Sequence, residues 1–233
     1  MTIKLVASII ALSALSMVTA FSGCSSGSSS SFALRDDIHF GDSAEKVKNK
    51  ESLGIEKESE DKDDPSITYL TSENGTIANI PDSIVKYSFK DDSLFKMSYN
   101  FGQYGTEGNL PSEVKDMISY MDGQYDDLST ALTEKYGDPI SSDERVKYDS
   151  VTGFNDHISN FELLAALGAD SEIIGAEEWL VEGGNGSHII ITLKTEYVGG
   201  KSYVGYSIAE YWLITEDEWN DIIGKQKNLD SDL

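Results

Sequence analysis

The stretch "SIVKYSFKDDSLFKMSYNF", residues 83–101, alternates apolar and polar side chains along two arms separated by Asp91, Asp92 and Ser93. A period of two puts Val85, Tyr87 and Phe89 on one face of the first arm, and Phe95, Met97, Tyr99 and Phe101 on one face of the second. Joined by a turn, the arms predict an antiparallel hairpin with one apolar side, and that side needs a cover. The segment from Pro111 supplies one. Val114, Met117, Ile118, Met121, Tyr125, Leu128, Leu132 and Tyr136 recur in three- and four-residue steps before Gly137 and Pro139 end the run, which predicts a long amphipathic helix.

The same grammar extends in both directions. Upstream, Asp42 and Glu45 have the spacing of a capping box for a short helix carrying Ala44 and Val47. "EKESEDKDDP", residues 56–65, has no periodicity and reads as a charged linker, and Asn74-Gly75 reads as a tight hairpin turn. Downstream, "RVKYDSV" and the segments holding Trp179, Val181, Ile189, Ile191 and Leu193 read as strands. Asn185-Gly186 and Gly199-Gly200 read as their turns. Thr215 and Glu218 cap a closing helix with Trp219, Ile222 and Ile223.

The expected architecture is therefore α+β: two tandem units of a helix followed by three or four antiparallel strands, with the helices packed on one face of the sheet. The units would cover about residues 35–110 and 111–225, within a domain of residues 35–225 followed by a polar tail, 226–233. Residues 151–176 depart from the repeat as an insertion, in which Phe161, Leu163, Leu164 and Leu167 have helical spacing. Phe161, Leu164 and Leu167 are candidate partner contacts. So are the strand tyrosines Tyr203, Tyr206 and Tyr211, which with Tyr197 could serve a peptide or glycan groove if exposed.

The start of the chain bears on location. Lys4 precedes an uncharged run over residues 5–21, and Ser22 and Gly23 lead into Cys24, the one cysteine of 233 residues. This is the layout of a secretory signal. It resembles the lipobox of bacterial lipoproteins, with Phe21 where leucine is usual. The resemblance implies that residues 1–23 are removed and that Cys24 receives a diacylglyceryl group. Two acyl chains then hold the protein on the extracytoplasmic side of the cell membrane, because each buried methylene contributes about 0.8 kcal/mol. An uncleaved signal anchor and a cleaved signal with a free thiol are the rival readings. Residues 24–34 would form the lipidated cysteine and a serine-rich tether. No other cysteine exists for disulfides, catalysis or metal ligation.

Forty-one acidic residues against eighteen basic ones give a net charge of −23. Such a surface repels nucleic acid phosphates and anionic lipid heads. An apolar content of 39% is still enough to fill a core. The three histidines, His39, His157 and His188, lie in separate segments without metal spacing, and His188 reads as an exposed strand histidine. The acidic clusters at residues 58–64, at Asp122, Asp126 and Asp127, and at Glu177 and Glu178 lack the spacing of a calcium loop. Ser43, Ser93 and Ser112 each precede a lysine at Ser-x-x-Lys spacing, without the companion motifs of acyl enzymes. No cofactor is called for.

"IHFGDSAEKVKNKE", and "LSTALTEKYGDP" followed at a distance by Trp179 and "HIIITL", resemble the two halves of small bacterial lipoproteins. The order of elements is similar to the β-lactamase inhibitor protein fold and to the small lipoprotein of the outer-membrane β-barrel assembly machinery. That resemblance implies a non-catalytic envelope lipoprotein acting by protein binding. A carboxylate-based extracellular hydrolase is the alternative.

Overall fold

The computed structural model describes residues 32–106, 111–142, 172–183, 186–198 and 204–231. The predicted hairpin is the pair β4 (Ile80–Lys90) and β5 (Ser93–Gly105). Its turn is only Asp91 and Asp92, both left-handed at φ 50° and 61°, so that Lys90 faces Ser93. Aspartate tolerates this conformation better than most residues. The register slips between Ser88, opposite Lys96, and Phe89, opposite Leu94, leaving Phe95 as an extra residue. This bulge corrects the expected apolar face. Leu94 is fully buried in the core, whereas Phe95 turns toward Trp212 with ring centroids 6.2 Å apart.

Before the hairpin come α1 (Ala44–Lys50), β1 (Ile55–Glu60), β2 (Ile67–Ser72) and β3 (Gly75–Ile77). After it come α2 (Pro111–Tyr136), β6 (Ser141–Ser142), β7 (Glu172–Glu182), β8 (His188–Val198), β9 (Val204–Ile214) and α3 (Glu216–Ser231). The strands form one antiparallel sheet in the order β1-β2-β4-β5-β9-β8-β7-β6, with β3 attached to β4.

The expectation of two tandem helix-plus-strand units is therefore overturned: among the described residues a single nine-stranded sheet dominates, with three helices. Two pairings account for the difference. β5 and β9 run side by side from Lys96 opposite Trp212 to Gly105 opposite Val204, which removes any edge between halves. The presumed charged linker also contributes a strand, β1, which pairs with β2 from Ile55 to Glu60. An edge strand half in solvent tolerates glutamate and lysine, and those charges discourage further pairing.

One apolar core lies on one face of the sheet. Val85, Tyr87, Phe89, Met97, Tyr99 and Phe101 meet Trp179, Ile189, Ile191, Leu193, Ala209 and Tyr211 there, all at most 2% exposed. The stripe of α2 closes it as expected, with Met117, Ile118, Met121, Tyr125, Leu128 and Leu132 buried. This helix contacts β5, β7, β8 and β9 and so spans the seam between the early and late strands. Phe32, Leu34, Ile38 and Val47 of the preceding segment and α1 join the same core.

Local corrections follow the same physics. The tight turn before β4 is Ala78-Asn79, with φ of 51° and 64°, and not Asn74-Gly75. Gly75 instead fits against Leu53, whose Cδ2 would lie 2.5 Å from an added β-carbon. The cap of α1 is Ser43, which accepts from the Lys46 amide at 3.3 Å. Asp42 accepts from the His39 amide and pairs with the Lys46 ammonium. The Thr215–Glu218 capping box forms as predicted: Glu218 accepts from the Thr215 amide at 2.7 Å, and Thr215 Oγ1 accepts from the Glu218 amide at 3.3 Å. α3 continues to Ser231, through the residues expected to be a tail.

Candidate binding face

Strand alternation that sends every second residue into the core sends the others to the opposite face. Among the described residues no helix lies across that face. α3 reaches one corner, where Trp219 stacks on His188 at 4.4 Å.

The register aligns the outward residues in rows. One row reads Lys57, Thr71, Lys86, Ser98, Glu210, Thr192, Glu178. The next reads Ser59, Tyr69, Ser88, Lys96, Trp212, Ile190, Leu180. A polar row thus lies beside a mixed row with an aromatic residue in its middle.

The lysines are held in place. Lys96 Nζ lies 3.9 Å from the centroid of Trp212 and 2.6 Å from Glu210 Oε1. Lys194 reaches the same carboxylate at 3.6 Å. Lys86 Nζ sits 3.9 Å from the centroid of Tyr69. Partial desolvation, and after it the like charge of Lys96, hold the Lys86 ammonium below the usual lysine range. Tyr69 is itself fixed, its hydroxyl donating to Asp61 at 2.6 Å. Aromatic faces and a single shared carboxylate thus concentrate three ammonium groups in a chain of net charge −23.

A second charged cluster lies on the covered side. The Arg35 guanidinium meets Glu51 at 3.2 Å, and the Tyr87 hydroxyl donates to the other Glu51 oxygen. The Glu51 side chain is fully buried, and burial pushes the Tyr87 phenol far above its ordinary range. This cluster ties the segment before α1 to the sheet. Its buried, paired geometry offers a ligand no access.

The candidate residues from the sequence are dispersed. Tyr211 is 2% exposed in the core, packed edge-on against Tyr99 at 5.9 Å, which corrects its candidacy as an exposed aromatic. It lies five positions after Tyr206, an odd offset, so alternation puts the two on opposite faces. Tyr206 is half-buried on the outward one. His188 is outward as expected but not exposed: its side chain is 13% accessible, and Nε2 pairs with Glu216 at 2.5 Å. Cys24, His157, Phe161, Leu164, Leu167 and Tyr203 lie outside the described residues. Lys86, Lys96, Glu210 and Trp212 were missed. Their signal was the polar half of the alternation, which a search for core positions discards.

Among the described residues no group of three or more histidine, cysteine or acidic side chains could hold a metal ion. No described helix is long and apolar enough to cross a membrane. Compared with family models, curated proteins and solved structures, the chain matches none.

Proposed function

We propose that this chain is a lipid-anchored extracytoplasmic protein, held at the cell envelope through Cys24, whose outward sheet face is a non-catalytic binding or scaffold surface. The observation behind the proposal is the unequal treatment of the two faces. Among the described residues, α1 and α2 both cover the same side. The other side gathers Lys86, Lys96, Lys194 and Trp212 in an otherwise acidic protein. Ordered lysines beside aromatic faces suit recognition of a protein surface, because they present cations with little side-chain entropy left to lose.

Two experiments test it. Globomycin treatment or Cys24→Ala should change processing and release the protein from the membrane fraction; unchanged fractionation contradicts the anchor. A photo-reactive residue at Ser98, on the outward face, should give adducts in intact cells, and one at Asp127, on the exposed side of α2, should not. Adducts at Asp127 alone contradict the assignment of the face.

A further inference from the structure

We infer that the outward sheet face pairs with the same face of a second copy of this chain, about a two-fold axis parallel to the central strands. The inference rests on the proposal that this face is the binding surface, and it names the occupant.

Charge on the face is divided by the β5–β9 seam. Lys57, Lys86, Lys90 and Lys96 occupy the β1 to β5 side and outnumber Asp61 and Asp64 beside them, and Lys90 stands opposite Ile67 in the row beyond Tyr69. Glu178, Glu182 and Glu210 occupy the β9 to β6 side, accompanied by Lys194 and His188. A two-fold axis between stacked faces, running along the strands, sets the basic side of one copy over the acidic side of the other. Symmetry repeats the contact, so both halves are satisfied at once. A uniformly acidic foreign partner would match the lysines but meet Glu178 and Glu182 with like charge.

The centre of the face suits this arrangement. Phe95, Trp212, Ile190 and Leu180 form an apolar band from β5 to β7, and the axis lays its β9 to β7 part over Lys96, Ser88 and Tyr69 of the second copy. Eight strands about 4.8 Å apart, paired over about 20–25 Å, give a face of roughly 700–800 Å², near the roughly 800 Å² per partner of a standard interface. Long-range repulsion between two chains of charge −23 is damped beyond about 8 Å at physiological salt, so charges in contact decide the outcome. Attachment of both copies to one membrane would raise their effective concentration further.

Charge exchange tests the geometry. The full chain is purified in detergent, and its protein mass is followed by light scattering against concentration. A basic-side variant, Lys86→Glu with Lys90→Glu, and an acidic-side variant, Glu178→Lys with Glu182→Lys, should each self-associate at least about 30-fold more weakly than wild type. Mixed one to one, they should recover a dimer, since the two glutamates added to one face then meet the two lysines added to the other. Unchanged far-ultraviolet circular dichroism separates lost association from lost folding. A monomeric wild type, variants that dimerise like wild type, or folded variants whose mixture stays monomeric would each overturn the inference. Adducts from Ser98 in cells distinguish the two levels: a mass of one chain plus a different protein rejects self-pairing and leaves the binding face standing, while no adduct from Ser98 rejects both.

Discussion

The covered and outward faces of the sheet are made from the same strands and differ in every second residue. In β4, Val85 and Tyr87 are fully buried while Lys86 between them is exposed; in β9, Ala209 and Tyr211 are buried while Glu210 and Trp212 lie outward. On the covered side, large side chains interlock under α2, and removing one leaves a void that close packing cannot refill. On the outward side, cations rest on rings and share a carboxylate in partial contact with water, where each contact adds little to stability. The same backbone therefore carries stability on one face and specificity on the other.

Mutations should separate the two roles, beginning with the core. Phe101→Ala should lower unfolding free energy by about 3–5 kcal/mol, whereas Ile190→Ala on the outward face should cost less than about 1 kcal/mol, both by denaturant titration. Glu51→Ala should cost about 3 kcal/mol by the same measurement, because it strands the Arg35 charge beside the buried Tyr87 hydroxyl. At the bulge, Leu94→Ala should cost about 2–4 kcal/mol and Phe95→Ala about 1 kcal/mol or less, although the residues are neighbours. Equal losses at 94 and 95 would show that both faces are core.

The smallest effect is electrostatic. Asp61 accepts from the Tyr69 hydroxyl and the Asp63 and Asp64 amides, contacts that hold its carboxyl below the usual aspartate range. A depressed folded value means that its contribution is complete above the ordinary aspartate pKa and is lost as pH falls through the folded one. Acidification should therefore loosen the β1–β2 hairpin, measured as faster amide exchange there, and Asp61→Asn should reduce that pH dependence to the part carried by Asp64, whose bonds to Ser66 also hold its carboxyl below the usual range.

Much of the core was legible because it depends on local periodicity. The stripe of α2 and the alternation of β4 and β8 name buried residues directly, and the Thr215–Glu218 box marks a helix start. Three features were not legible for physical reasons. "EKESE" becomes a strand only because β2 offers an edge, a long-range pairing that no local propensity encodes. The bulge at Phe95 exchanges it with Leu94, a one-residue slip that preserves composition and changes faces. The fusion of the early and late strands depends on β5 meeting β9 about a hundred residues later, which order along the chain does not specify. The outward lysines were visible throughout, but an alternating pattern says which residues leave the core and not which of them gather.

The most direct test of the division between faces compares two tryptophans. Trp179 is 1% exposed on the covered side, with its indole nitrogen donating to the Gly137 carbonyl at 3.0 Å; Trp212 lies outward beneath the Lys96 ammonium. Denaturant unfolding of the full chain, at concentrations low enough that it is monomeric, should show Trp179→Ala losing about 3–5 kcal/mol and Trp212→Ala no more than about 1 kcal/mol. Losses of similar size from both would mean that the outward face is a second core, and would contradict the account.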